Sequence, residues 1–241
     1  MINVTRPAEL PVSLQSTAIR DYIESLANHV EQPEEFPEPT KPPNYRNNDI
    51  MIAFDACFYS KCYLTEQKYE NSWAMDIDHF ISKNEQPELR YVWTNLYPAD
   101  HKANMMKPRR MPAGGYLDPC ADEDDVEFDL LYALTIDEQQ PRFQARNVNN
   151  VKAINTAKLL NRLHNGENED SQKNTLHLRF LIRKKYDEVL KAIIAWLAAV
   201  EPQEKFQAEV DLKRLLSRRA SFTALMRSIP AVRHIPKDFL D

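Results

Sequence analysis

Glycine is scarce. The 241-residue chain holds three glycines, at 114, 115 and 166, against sixteen prolines. Average usage would give roughly 17 glycines and about 12 prolines. The shortage excludes chemistry built on glycine-rich loops: there is no G-x-x-x-x-G-K-[ST] phosphate cradle, no G-x-G-x-x-G dinucleotide turn and no G-x-S-x-G nucleophile elbow. If ATP matters to this protein, another chain hydrolyses it. Few glycines also argue against a hairpin-rich sandwich or barrel, which needs residues at positive φ. Cysteine is equally sparse. Three cysteines make no disulfide framework and suit a reducing, cytoplasmic compartment. No apolar run reaches about 18 residues, so no membrane span is expected. The opening MINVTRPAEL lacks the basic stretch and apolar run of a secretory signal.

What is present is unevenly charged. The net charge is −5, yet residues 171–241 carry 14 Lys/Arg against 8 Asp/Glu, while residues 1–170 carry 17 against 28. Overall acidity is therefore no argument against an anionic partner. Residues 118–138 hold nine acidic residues. Without D-x-D-x-D-G spacing they read as a solvated loop, not a calcium site.

Periodicity predicts a helix over 16–31, with Ile19, Ile23, Leu26 and Val30 on one stripe. Five prolines in 33–43 end it as an extended linker. A second helix is expected over 48–58. WAMDIDHFI and NLYP then read as strands, and ADHKANMMK, stopped by Pro108, as a short helix. Strands are expected within 126–136 and 141–147, and an amphipathic helix over 148–164. A polar loop spans 165–174, and a long helix covers 175–200, with Leu178, Ile182, Val189, Ile193, Trp196 and Val200 as its apolar stripe. A further helix reaches about Arg219. The expected fold class is α+β, predominantly α-helical, with a ββα unit embedded in a helical scaffold. The expected organisation is 1–45 (helix and proline-rich linker), 46–116 (core) and 117–241 (mixed, then helical).

The ββα stretch concentrates the reactive residues: Asp76, Asp78 and His79, then Asn95, then His101, Asn104 and Lys107. Phosphodiester hydrolysis needs a base for water, a metal to stabilise developing charge and contacts that hold the phosphate. Histidine suits the base, and Asp and Asn oxygens suit Mg²⁺. On a helix, His101, Asn104 and Lys107 at i, i+3 and i+6 share a face. In a regular strand, Asp78 and His79 point to opposite sides and Asp76 shares the side of Asp78.

The D-x-D-H, W-x-N-L and N-x-x-K blocks, in that order over residues 76–110, resemble the HNH (ββα-metal) nuclease motif. The nine-residue gap between Asn95 and Asn104 matches HNH domains of the RNA-guided kind. The resemblance implies His79 as general base, Asn95 as the residue bracing the loop that carries it, and Asp78 and Asn104 as ligands of Mg²⁺ or Mn²⁺. Asp76 and His101 stand behind those ligands. Lys107 resembles a phosphate contact, and with Lys102, Arg109 and Arg110 forms the expected nucleic-acid track. Many HNH domains flank the motif with two C-x-x-C zinc pairs. Here those positions read Cys62 and Thr65, then Asp100 and Ala103, so structural zinc is not expected. A replacement site drawing on Cys57, Cys62, Cys120 or His101 is a lesser alternative to buried, inert thiols. Packing of Phe54, Phe58, Trp73, Phe80 and Trp93 would hold the unit instead.

The wider layout extends the resemblance. It comprises an N-terminal Arg-Pro, Lys-Cys before the motif, Leu-Asp-Pro before the acidic run, the helix NNVKAINTAKLLN and a helical tail. It looks like the nuclease subunit (PtuB-like) of Septu and related retron-associated antiphage systems. That implies a bacterial DNA endonuclease working with an ABC-type (PtuA-like) ATPase. An RNase acting on structured RNA such as tRNA, and a non-catalytic nucleic-acid-binding adaptor of the ATPase, remain alternatives.

Overall fold

The computed structural model describes residues 1–40, 42–134 and 140–241. These residues are mostly helical, with two small antiparallel sheets of two strands each among them. Helix α1 (Thr17–Glu31) buries Ile19 and Leu26, while Val30 at the far end of the stripe is exposed. The proline-rich segment after it forms no helix or strand among its described residues. Helix α2 (Asn48–Phe58) turns one face inward, burying Ile50, Met51, Phe54, Cys57 and Phe58, while Ile52 is exposed.

Strands β1 (Asp76–His79) and β2 (Leu96–Ala99) pair antiparallel, with Asp78 opposite Tyr97 and His79 opposite Leu96. β1 is shorter than the alternation of WAMDIDHFI suggests, because Ser72–Ala74 curl into a 3₁₀ turn whose Asn71 side chain accepts from the Trp73 N–H. Helix α3 (His101–Met106) follows directly, capped by Asp100, whose carboxylate accepts from the Ala103 N–H. Lys107 falls outside it, at ψ 134°. The cause is Pro108, which disfavours helical backbone in the residue before it. The expected shared face of His101, Asn104 and Lys107 therefore stops at Asn104.

Among the described residues the acidic run is solvated only in part: Asp122 and Glu123 are exposed, and others serve as caps and ion-pair partners. Asp125 caps a short helix α4 (Val126–Asp129), where a strand was expected, and it also accepts from Asn3. Asp124, with its side chain 6% exposed, pairs with Lys152 at 2.9 Å. Asp118 accepts from Tyr97 and from the Cys120 N–H. Acidic residues at this density supply caps and ion pairs for a turn-rich segment. Strands β3 (Leu130–Leu134) and β4 (Pro141–Ala145) form the second sheet, and helix α5 (Val151–Asn165) packs on β4. The rest of the strand expected over 126–136, Thr135 and Ile136, lies outside the described residues.

Helix α6 (Glu169–Ala198) has 30 residues, about 45 Å of helix. It starts six residues earlier than periodicity predicts, because Asn168 and Ser171 form a reciprocal capping box. Leu178, Ile182, Val189 and Ile193 are buried, Trp196 is half-buried, and Val200 lies exposed beyond the helix end. Helix α7 (Pro202–Leu216) folds back against α6, and α8 (Thr223–Arg227) follows.

One buried apolar cluster runs from Met1 to Phe239 and draws on all three sequence segments. Arg6 ties the N-terminal segment to the first sheet. Its guanidinium donates to the Trp93 and Leu96 carbonyls at 3.0 and 2.8 Å and lies over the rings of Tyr97 and Trp93. Phe54 stacks on Trp93, and Phe58 and Phe80 pack on Tyr97, whereas Trp73 is 46% exposed and adds nothing to this packing core.

Gly114 and Gly115, at φ 84° and 74°, make the turn that leads from the first sheet toward α5. A Cβ at Gly114 would sit 2.5 Å from Val151 Cγ1. Gly114→Ala is expected to lower stability by about 1–3 kcal/mol through strain and overlap, read as a lower midpoint in urea unfolding.

Candidate active site

β1, the loop after it, α3 and the segment Pro42–Arg46 enclose a cleft of about 760 Å³. Asp76, Asp78, His79 and Asn104 all line it. His79 is 8% exposed. Its Nε2 lies 3.0 Å from the Arg90 carbonyl oxygen. A carbonyl only accepts, so Nε2 carries the hydrogen and Nδ1 keeps its lone pair. The Tyr45 ring meets the imidazole edge-on at 5.5 Å, which limits its rotation. Burial holds the His79 pKa below its ordinary value, and the nearby Lys83 ammonium acts in the same direction. The neutral ring, able to accept a proton, is the form at pH 7.

Asn95 is buried below this loop. Its Nδ2 donates to the Ile81 and Leu89 carbonyls and its Oδ1 accepts from the Ile81 N–H at 2.7 Å. It clamps the backbone two residues beyond His79 and does not line the cleft, so its part is positional.

Asp78 is pinned from below. Its Oδ2 accepts from Tyr63 at 2.5 Å and from Lys107 Nζ at 2.6 Å. Lys107 also donates to the His79 and Phe80 carbonyls, so all three ammonium donors are committed within the protein. It serves as a buried strut under β1 and also lines the cleft. This follows from its extended backbone, which turns the side chain back toward the sheet. Asp76 Oδ2 accepts from His101 Nδ1 at 2.8 Å and Asn104 Nδ2 at 3.0 Å. These contacts leave three oxygens, Asp76 Oδ1, Asp78 Oδ1 and Asn104 Oδ1, without a hydrogen-bond partner among the described residues.

Two carboxylate oxygens and one amide oxygen, all hard donors on one cleft, fit Mg²⁺, which takes one or two carboxylates and keeps several waters. Asp76 lines the cleft beside Asp78 and Asn104. Among the described residues no three His, Cys, Asp or Glu side chains cluster as a metal site. The thiols are chemically muted: burial pushes Cys57 up to about 12 and raises Cys62 and Cys120 as well. At the positions of the zinc pairs, the Cys62 thiol accepts from the Thr65 N–H and Asp100 accepts from Tyr69.

The cleft lining is cationic although the chain is acidic. Arg46, Lys83, Arg90, Arg109 and Arg110 join it. Lys102 is exposed on α3 outside the lining, and His101 is exposed beside Asp76. Toward the C-terminus, some basic residues form ion pairs within the protein: Lys185 with Glu188, Lys213 with Asp238, Arg214 with Asp211 and Arg218 with Glu127. Sequence reading missed Tyr45, Tyr63, Lys83 and Arg90. Only the length of the loop joining the two strands hinted at the last two. No protein-family model matches the chain, and no curated protein or solved structure is significantly similar to it.

Proposed function

We propose that this chain is a Mg²⁺-dependent endonuclease of the HNH type that hydrolyses phosphodiester bonds in DNA. The observation that carries the reading is the pairing, in one cation-lined cleft, of a tautomer-fixed neutral histidine with three uncommitted hard oxygens. His79 Nδ1 takes a proton from water as the water oxygen bonds to phosphorus. The Arg90 carbonyl holds the ring throughout by accepting from Nε2. Asn95 keeps the loop beyond His79 in place. The P–O3′ bond breaks and the leaving 3′ oxygen takes a proton from solvent water, giving 5′-phosphate and 3′-hydroxyl ends. Asp76, Asp78 and Asn104 would hold Mg²⁺, which when bound neutralises charge on the attacked phosphate and the leaving oxygen. Arg109 and Arg110 hold the polyanion without reading bases.

Membership in an antiphage complex with an ABC-type ATPase extends this proposal, and its support is the sequence layout alone. The test is incubation of the purified chain, with and without such an ATPase, with plasmid DNA and total RNA in Mg²⁺ or EDTA. Mg²⁺-dependent nicking or linearisation of the plasmid is the expected result. Cleavage confined to RNA would overturn the choice of DNA, and binding without cleavage under every condition would favour the adaptor. Asn104→Ala is expected to lower the rate and to shift the Mg²⁺ titration to higher concentration; an unchanged titration would remove Asn104 from the ligand set.

A further inference from the structure

The loop between β1 and β2 carries two cations that line the cleft, Lys83 and Arg90. Neither pairs with a carboxylate among the described residues. Each is partly buried. They also lie close enough to oppose each other: burial and then the Arg90 charge lower the pKa of Lys83. Two like charges withdrawn from water without a counter-ion are costly to the free protein. The cost is recovered when an anion enters.

The geometry of Arg90 identifies the anion's chemistry. Its Nη1 donates to the Tyr22 hydroxyl at 2.9 Å, and its guanidinium lies 5.7 Å from the Tyr22 ring centre. α1 thus holds the fork in place. The opposite edge, Nε and Nη2, has no acceptor, and Nε is shielded from water with no partner at all. Nη2, which is not shut off from water and has no acceptor, is free with Lys83 Nζ to donate to the oxygens of a phosphate, whereas the buried Nε is closed to a ligand. Arg90 and His79 line the same cleft, and the Arg90 carbonyl accepts from His79.

We propose that Lys83 and Arg90 form a second anion subsite, separate from the Asp76, Asp78 and Asn104 oxygens, which takes a substrate phosphate flanking the scissile one. The subsite rests on the nuclease reading and deepens it. It registers the strand so that the scissile phosphate meets His79 Nδ1, and it makes α1, through Tyr22, part of the substrate-binding structure.

The test is binding without turnover. Fluorescence anisotropy in EDTA measures the affinity of a fluorescein-labelled DNA duplex, and of the RNA of the same sequence, across a salt series. Lys83→Gln and Arg90→Gln are each expected to weaken binding about tenfold and to make the log–log salt slope shallower by about one. Lys191→Gln, an equal loss of charge at an exposed position on α6, is expected to change neither. Duplexes carrying one neutral methylphosphonate link at successive positions supply the second arm. One flanking position is expected to weaken wild-type binding and to leave Lys83→Gln binding as it was. Lys83 bonds to no other residue among those described, so that variant keeps the test sound even if Arg90→Gln disturbs α1. Wild-type affinity and slope in both variants, or equal methylphosphonate penalties in wild type and Lys83→Gln, would overturn the subsite alone. Failure of the wild-type chain to bind either polymer would overturn the nuclease reading and the subsite together.

Discussion

His79→Ala is expected to lower the rate of phosphodiester cleavage by about 10²- to 10⁴-fold, the usual contribution of a positioned acid–base group. The expectation rests on three contacts. The Arg90 carbonyl fixes the hydrogen on Nε2, Tyr45 restricts ring rotation, and burial keeps the ring neutral. A rotating or protonated imidazole would waste most encounters with water. Alanine removes the base but leaves the Asn95 clamp intact, because that clamp grips the Ile81 and Leu89 backbone and not the His79 side chain. The melting temperature should therefore move little, and affinity for DNA in EDTA should persist. Plasmid cleavage followed over time, with melting curves on the same preparation, checks both. Wild-type activity in the variant would end the mechanism; a collapse of the fold would show that His79 is chiefly a packing residue.

Glu66→Gln is expected to destabilise the protein by about 3–5 kcal/mol. Glu66 is buried, and its carboxylate meets the Met1 ammonium at 2.9 Å and Lys61 Nζ at 3.5 Å. It also accepts from the Ala224 N–H, while its own carbonyl accepts from the Phe222 N–H. Removing its charge leaves two buried cations facing a neutral amide. The residue holds a left-handed backbone, φ 57°, which an unbranched side chain tolerates only when its surroundings demand it. A loss of this size corresponds to a melting temperature lower by roughly 10 °C in a chain of this length. An unchanged melting temperature would mean the ion cluster adds nothing net.

The same residues set the response to acid. Burial opposes ionisation of Glu66, but the Met1 ammonium and Lys61 bring its pKa down to about 2 from an ordinary 4.5. Its contribution is complete above the unfolded value and is lost as pH falls from about 4.5 toward 2. His164, buried, has its pKa pushed down to about 4. Its unfolded form binds a proton first, so stability also declines as pH falls from about 6.5 toward 4. Urea midpoints should thus fall steadily from about pH 6.5 downward, and the wild-type and Glu66→Gln curves should converge near pH 2.

Helices α1, α2, α5 and α6 were legible because each carries an apolar stripe or a terminal proline or cap that local physics dictates. The reactive residues were legible by type and order: an acid pair beside a histidine, then two asparagines at a set gap. Their partners were not. Lys107 read as a free cation, yet its backbone before Pro108 turns it under Asp78. The acidic run read as solvent-facing, yet some of its carboxylates cap α4 and pair with Lys152. Tyr45 and Arg90 lie in segments with no periodic signal, and they reach His79 only because the chain after the prolines and the loop between the strands close over the same cleft.

By itself, then, the sequence determined what could be absent and what had to be local. Three glycines exclude backbone phosphate cradles, helical periodicity places the scaffold, and the order of Asp, His and Asn nominates the chemistry. The tertiary structure alone decided which oxygens stay uncommitted, which histidine nitrogen keeps its lone pair and which cations remain unpaired. Those properties belong to contacts between residues tens of positions apart, such as Lys107 with Asp78 and Tyr22 with Arg90, and no local pattern encodes them.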